Sequence, residues 1–130
     1  MYETGRPRII AGLMSGTSVD AIDVALISIT DEQNRVEIDV LWYEEFPWKA
    51  YERDAILSAS TLPTTSQQFA LLDRMIGDRF CDAVNRITHR TATTLDGIGF
   101  HGQTVAHVPR PDNEWLPSTL QLGNPHACAH

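Results

Sequence analysis

The segment Gly12-Leu13-Met14-Ser15-Gly16-Thr17-Ser18-Val19-Asp20 gathers glycines, hydroxyls and a carboxylate between two apolar runs. Glycine admits positive φ and lets a backbone come close to a ligand. Successive backbone N–H groups in such a turn form a concave anion site. Thr17 and Ser18 add hydroxyl donors for phosphate oxygens. Asp20 suits a hydrated Mg²⁺, which takes carboxylate, water and substrate phosphate together. Asp23 lies within reach of the same position, or its place on a strand simply exposes it. A polar hairpin turn accounts for the same residues, so spacing alone leaves both readings open. The segment is not a nucleotide P-loop, because the Gly-Lys-Ser/Thr ending is missing. Nor is it a dinucleotide fingerprint, since no helix follows.

A second polar cluster follows a short glycine-flanked strand, in Gly97-Ile98-Gly99-Phe100-His101-Gly102-Gln103-Thr104-Val105-Ala106-His107. His101, Gln103 and Thr104 carry donors and acceptors suited to orienting a sugar or phosphate. A strand end with a capped turn explains them equally. A third cluster, His126-Ala127-Cys128-Ala129-His130, alternates metal-ligating side chains. Structural zinc normally takes four ligands, and no second Cys/His pair of finger spacing is present. A frayed terminus is the better reading.

These groups must be held by a fold, and the composition bounds it. The chain has 130 residues, with 10 Lys+Arg against 17 Asp+Glu, so the net charge is −7. That balance speaks against nucleic acid or anionic lipid as partner, both of which require clustered cations. No apolar run reaches the roughly 20 residues of a membrane span. Met1 to Gly5 lacks a signal-peptide start, which points to the cytoplasm. Cys81 and Cys128 are expected as free thiols, since disulfides are rare in that compartment.

Hydrophobic patterning predicts strands at Arg8–Met14, Ala21–Ile29 and Val36–Trp42, with a polar connector at 31–35. Ala21–Ile29 is apolar on both sides and reads as buried on both faces. Val36–Trp42 alternates, with one apolar and one wet face. Ala50–Ser60 suggests a short helix. Thr65 and Gln68 form a capping box that opens a long helix to about His89. Its apolar positions are Phe69, Leu72, Ile76, Phe80, Ala83, Val84 and Ile87, and Asp82 and Arg86 are spaced as an ion pair. Ile98–Phe100 is a short strand, 109–117 a loop with an exposed Trp115, and Thr119–Gly123 a last strand-like piece. The order implies an antiparallel three-strand meander, a crossover helix and a parallel strand: a mixed sheet of the α/β class.

Three stretches together are more specific than any alone. Gly12 to Asp23, Phe100-His101-Gly102-Gln103-Thr104-Val105-Ala106-His107, and Thr119-Leu120-Gln121-Leu122-Gly123-Asn124 resemble, in order and spacing, the opening blocks of the anhydro-N-acetylmuramic acid kinase family. The resemblance covers most of the chain and thins over 31–60 and after Asn124. It implies a ribonuclease-H-like, actin-like ATPase fold. It implies phosphorylation, dependent on ATP and Mg²⁺, of 1,6-anhydro-N-acetylmuramic acid with ring opening to N-acetylmuramate 6-phosphate, in peptidoglycan recycling. It makes Gly16, Thr17, Ser18, Val19, Asp20, Ala21, Ile22 and Asp23 the ATP-phosphate segment, with Asp20 on Mg²⁺ through water. His101, Gln103 and Thr104 become the sugar-side contacts.

Two departures accompany the resemblance. Ala21 stands where the family usually has glycine. Family members are also much longer, and the aspartate expected as general base lies beyond residue 130. The chain therefore reads as the incomplete N-terminal part of one such domain, with the second domain absent and no activity alone. The poor fit of His126–His130 suggests a truncation or frameshift near Pro125. The alternatives are a non-catalytic remnant that binds phosphate or nucleotide, or self-associates as a homodimer, and a His/Cys metal module.

Overall fold

The computed structural model describes residues 5–112 and 114–129. Five strands, Arg8–Ser15 (β1), Ala21–Glu32 (β2), Arg35–Pro47 (β3), Gly97–Val108 (β4) and Ser118–Leu122 (β5), form one sheet in the order β3-β2-β1-β4-β5. The helices are Ala50–Thr61 (α1) and Ser66–Thr91 (α2), and a 3₁₀ segment covers Pro125–Ala129. β1, β2 and β3 are an antiparallel meander, and β4 returns parallel to β1. This is the predicted mixed sheet of an α/β domain. β5 folds back antiparallel on β4.

Local chemistry accounts for the boundaries. Gln33 and Asn34 both take positive φ (49° and 66°), closing a two-residue turn that pairs Glu32 with Arg35; such turns match the right-handed twist of the flanking strands. β3 extends beyond the predicted Trp42 because β2 supplies partners as far as Ala21, opposite Pro47. Proline is tolerated there because β3 is an edge strand, where an N–H can be dispensed with. The capping box holds: the Thr65 hydroxyl accepts from the Gln68 N–H at 3.2 Å, and the Gln68 side chain accepts from the Thr65 N–H at 2.9 Å. α2 ends at Ala92, in the left-handed conformation (φ 49°). Asp82 is bonded to Arg79 at 3.2 Å, rather than to the Arg86 that the spacing suggested.

The core lies between one sheet face and the helices. Leu13, Ile22, Val24 and Leu26 pack against Ile56 of α1 and Leu72, Ile76, Phe80, Val84 and Ile87 of α2, all buried. Burying each such side chain contributes about 1.5–3 kcal/mol. The expectation that β2 is covered on both faces is corrected. Ile22, Val24 and Leu26 are buried, but Ala25, Ile27 and Ile29 on the other face are only half-buried. A bulge at Leu26/Ile27 puts Val40 opposite Ile27 and Trp42 opposite Leu26. Ile38 and Val40 therefore share the uncovered face, at 61% and 69% exposure. The apolar side of β3 meets no helix among the described residues.

The C-terminal end differs from a frayed tail. Cys81 and Cys128 are joined in a disulfide with their Cα atoms 5.1 Å apart, so they are not free thiols. The chain reaches that position across Gly77, where an added Cβ would lie 2.4 Å from the Asn124 carbonyl oxygen. The pairing was hidden because it rests on this close approach of backbone to α2, which cysteine spacing does not encode.

Candidate functional site

The polar groups of the first two sequence blocks meet where β1 ends. Ser15 is the last residue of β1 and is fully buried. The turn that follows is closed by the Val19 N–H, which donates to the Gly16 carbonyl at 3.1 Å. The positive φ of this turn belongs to Val19 (53°), not to Gly16. A β-branched residue is strained in that region, and Val19 is held by burial of its side chain in the core (1% exposed). Gly16 has another use. A Cβ there would meet no atom within 4 Å, so its missing side chain leaves an open space beside the turn.

The predicted phosphate segment divides by direction. Thr17, Ser18 and Asp20 are exposed. Val19 and Ile22 point into the core, and Ala21 begins β2 opposite Pro47. Asp23 accepts a hydrogen bond from the Tyr43 hydroxyl at 2.9 Å, and that hydroxyl also lies 3.2 Å from Glu45. The hydrogen bond to Asp23, followed by desolvation and the Glu45 bond, pushes the Tyr43 phenol up to about 12. Neighbouring carboxylates disfavour the phenolate, so Tyr43 stays a donor.

Arg53 is a residue the sequence did not single out. Its guanidinium donates to the Val19 carbonyl at 3.0 Å and the Ser18 carbonyl at 3.3 Å, and lies 4.0 Å from the Asp20 carboxylate. The Trp48 N–H donates to the Asp20 carbonyl at 3.3 Å. The start of α1 thus braces the turn. No local signal marks Arg53, because its partners on the turn are more than thirty positions away in the chain.

Beneath the turn lies a buried polar cluster. Trp48 Nε1 donates to Ser15 Oγ at 3.1 Å, and Ser15 Oγ donates to Gln103 Oε1. Gln103 Nε2 donates to the Gly16 carbonyl at 2.8 Å and the Thr104 carbonyl at 2.9 Å. Gln103, expected as a sugar contact, is fully buried with its amide engaged by the protein. His101 is exposed, with Nδ1 3.2 Å from the Gly102 carbonyl. Thr104 is half-buried, and its hydroxyl accepts from Gln121 Nε2 at 3.2 Å. Both lie inside β4 rather than beyond its end. The register slips between Leu13 and Ser15, which pair with Phe100 and Gln103, so His101 and Gly102 form a bulge opposite Met14. Gly102 takes φ +80° there, and a Cβ on it would stand 2.6 Å from the Leu122 carbonyl oxygen.

The third block fastens the site to α2. The Gly123 N–H donates to the Asp73 carboxylate at 2.7 Å, and the Asn124 N–H to the Asp73 carbonyl at 3.1 Å. In the His/Cys tail, Cys128 is bonded to Cys81, and His130 lies outside the described residues. Among the described residues no group of three or more His, Cys, Asp or Glu converges as metal ligands. Asp20, with its side chain 75% exposed, fits a Mg²⁺ carried mainly by ligand phosphates and water. An apolar groove between α1 and α2, lined by Ala59, Leu62, Leu71 and Met75, lies apart from these groups.

An open turn at the carboxyl end of a central strand, beside a parallel strand, is where α/β sheets receive ligands. With its meander and crossover helix, the chain is built as an actin-like ATPase domain is. The family model for anhydro-N-acetylmuramic acid kinase matches residues 8–130, and the chain belongs to that family. Among curated relatives, the anhydro-N-acetylmuramic acid kinase of Acaryochloris marina (strain MBIC 11017) is 37% identical over 122 residues. That of Bacillus cereus (strain B4264) is 34% identical over 125 residues. Each alignment takes in 93% of this chain and 32% of the relative, so the chain spans about a third of the length of the relatives it matches. The match includes the tail after Asn124, which the resemblance alone had set apart.

Proposed function

We propose that this chain supplies the nucleotide-phosphate side of an anhydro-N-acetylmuramic acid kinase. The observation that carries it is the open turn at Gly16, from which Thr17, Ser18 and Asp20 project while Val19 and Ile22 anchor it from below. Thr17, Ser18 and the turn's N–H groups bind phosphate oxygens. Asp20 would hold Mg²⁺ through water, and the ion would supply charge neutralisation for the phosphates. Val19, Ala21, Ile22 and Asp23 contribute backbone position only. His101 and Thr104 are the sugar-side contacts. In the family reaction a water oxygen bonds to the anomeric carbon, the C1–O6 bond breaks, O6 takes the γ-phosphoryl group, and ADP leaves. Positioning and electrostatics supply most of the acceleration in such transfers. The base that takes the proton from water is expected in the part of the relatives this chain does not span, so the chain alone is inactive. A cytoplasmic location belongs to the same reading.

Calorimetric titration with Mg·ATP tests it. The chain should bind, and Asp20→Ala should weaken binding about tenfold, the usual scale for a lost charged contact. Absence of binding by the unaltered chain would refute the phosphate reading. Turnover by the unaltered chain, lost in Asp20→Ala, would refute its inactivity.

The uncovered face that carries Ile38 and Val40 favours a second property, self-association of the isolated chain, because exposed apolar strands seek cover. Light scattering should show a dimer or larger species that Ile38→Glu with Val40→Glu converts to monomer. A monomer at high concentration before substitution removes this reading.

A further inference from the structure

We propose that Gln103 is a positioning residue that sets the conformation of the Gly16–Val19 turn and aims its Thr17 N–H outward. The idea that this N–H then meets phosphate rests on the function proposed above; the control of the turn does not.

A buried amide is costly unless its donors and acceptor are satisfied. Gln103 is fully buried, and both of its ends are used. Its orientation follows from its partners. Ser15 Oγ already accepts from Trp48 Nε1, so its own proton is free to go to an acceptor, Gln103 Oε1. The two groups facing Nε2 are the carbonyls of Gly16 and Thr104, which only accept. A flipped amide would set its carbonyl oxygen against both. Trp48 and Ser15 therefore lock which way Gln103 points.

The consequence falls on one peptide plane. The Gly16 carbonyl receives Gln103 Nε2 at 2.8 Å from the interior and the Val19 N–H at 3.1 Å across the turn. With that carbonyl turned inward, the N–H of Thr17 must point the opposite way, because a trans peptide sets C=O and N–H antiparallel. A Cβ on Gly16 would meet nothing within 4 Å, and Thr17 and Ser18 are exposed, so the turn has open space around it for an outward N–H. The second sequence block thus acts on the first from beneath.

The test uses amide hydrogen exchange and Mg·ATP titration by NMR on the full chain. Gln103→Leu removes both donors while keeping the site filled. Its exchange at Val19 should rise about tenfold relative to amides in the middle of α2, the scale of a lost buried hydrogen bond. Ile87→Val serves as the control for general loss of stability, and should raise Val19 and α2 exchange by one common factor. Ser15→Ala, a milder change, should move Val19 exchange in the same direction if Gln103→Leu does not fold. Equal factors at Val19 and α2 in both test variants would overturn the proposal. In the unaltered chain Thr17 should show the largest amide shift on adding Mg·ATP, and Gln103→Leu should lose it. If the unaltered chain does not bind, the phosphate reading fails, while the exchange comparison still decides whether Gln103 sets the turn.

Discussion

Gly16→Ala separates folding from binding at one atom. The added Cβ would have no neighbour within 4 Å, and Gly16 is not among the residues with positive φ. The substitution also lowers the entropy of the unfolded chain, an effect worth about 0.4–1 kcal/mol where the native conformation is compatible. Stability should therefore be unchanged or raised by up to about 1 kcal/mol. The same methyl occupies the space that a phosphate would enter, and affinity for Mg·ATP should fall at least about tenfold, or about 1.4 kcal/mol. Gly102→Ala is the opposite case. Its φ is +80° and its Cβ would stand 2.6 Å from a backbone carbonyl that cannot swing away. Left-handed strain of about 1–2 kcal/mol adds to the clash, for a total of about 2–4 kcal/mol. Urea unfolding and calorimetry on both variants give the comparison. A loss above about 1 kcal/mol in Gly16→Ala would show that the space is not open. Unchanged Mg·ATP affinity in that variant would show that no ligand approaches there.

Tyr43 should titrate near 12 rather than its ordinary 10. Because the folded value is the higher one, the stability it contributes is intact below pH 10 and lost as pH rises through 12. Tyrosinate absorbance should show this late step, absent in Tyr43→Phe; a single step near 10 refutes it. Arg79→Met leaves the Glu52 carboxylate, whose side chain is 2% exposed, without its ion-pair partner. Removing one member of a buried pair costs about 3–5 kcal/mol, reduced here to about 2 because Arg79 is partly exposed, as urea unfolding should show. The Cys81–Cys128 bond spans 47 positions, for which loop-closure entropy gives up to about 4 kcal/mol. Reductant should lower the unfolding midpoint, and Cys128→Ala should abolish that response; a midpoint indifferent to reductant refutes the bond's contribution.

Order and type of element were legible because they follow from local patterns. The period of α2, the Thr65 cap and the three apolar runs are each set by nearby residues, and the meander with its parallel return follows from their order. What was not legible was coverage. Ala25, Ile27 and Ile29 look as buried as Ile22, Val24 and Leu26 in the sequence, since both sets are apolar. Which set meets a helix depends on the side of the sheet to which α1 and α2 return. Long-range backbone contacts were equally hidden. Gly77 of α2 lies against Asn124, a contact that no local pattern encodes, and the chain passes there before reaching the disulfide.

At the site, residue type alone misleads in a particular way. Polar groups in a glycine-rich stretch suggest ligand contacts, yet a turn held in one shape needs polar groups of its own. Alternation along β1 and the bulge in β4 send Ser15 and Gln103 inward, where they bond to each other and Gln103 bonds to the Gly16 carbonyl, while Thr17, Ser18 and Asp20 on the turn remain exposed. The same sorting separates Asp20 from Asp23: one is open to solvent, the other is engaged by Tyr43. Arg53 completes the frame from a helix with no sequence link to the turn. A backbone held from three sides in this way keeps its N–H groups aimed before a ligand arrives, which lowers the ordering cost of binding. The outward residues then need only complement charge, and the inward ones explain why a short turn with a valine at positive φ keeps a single shape.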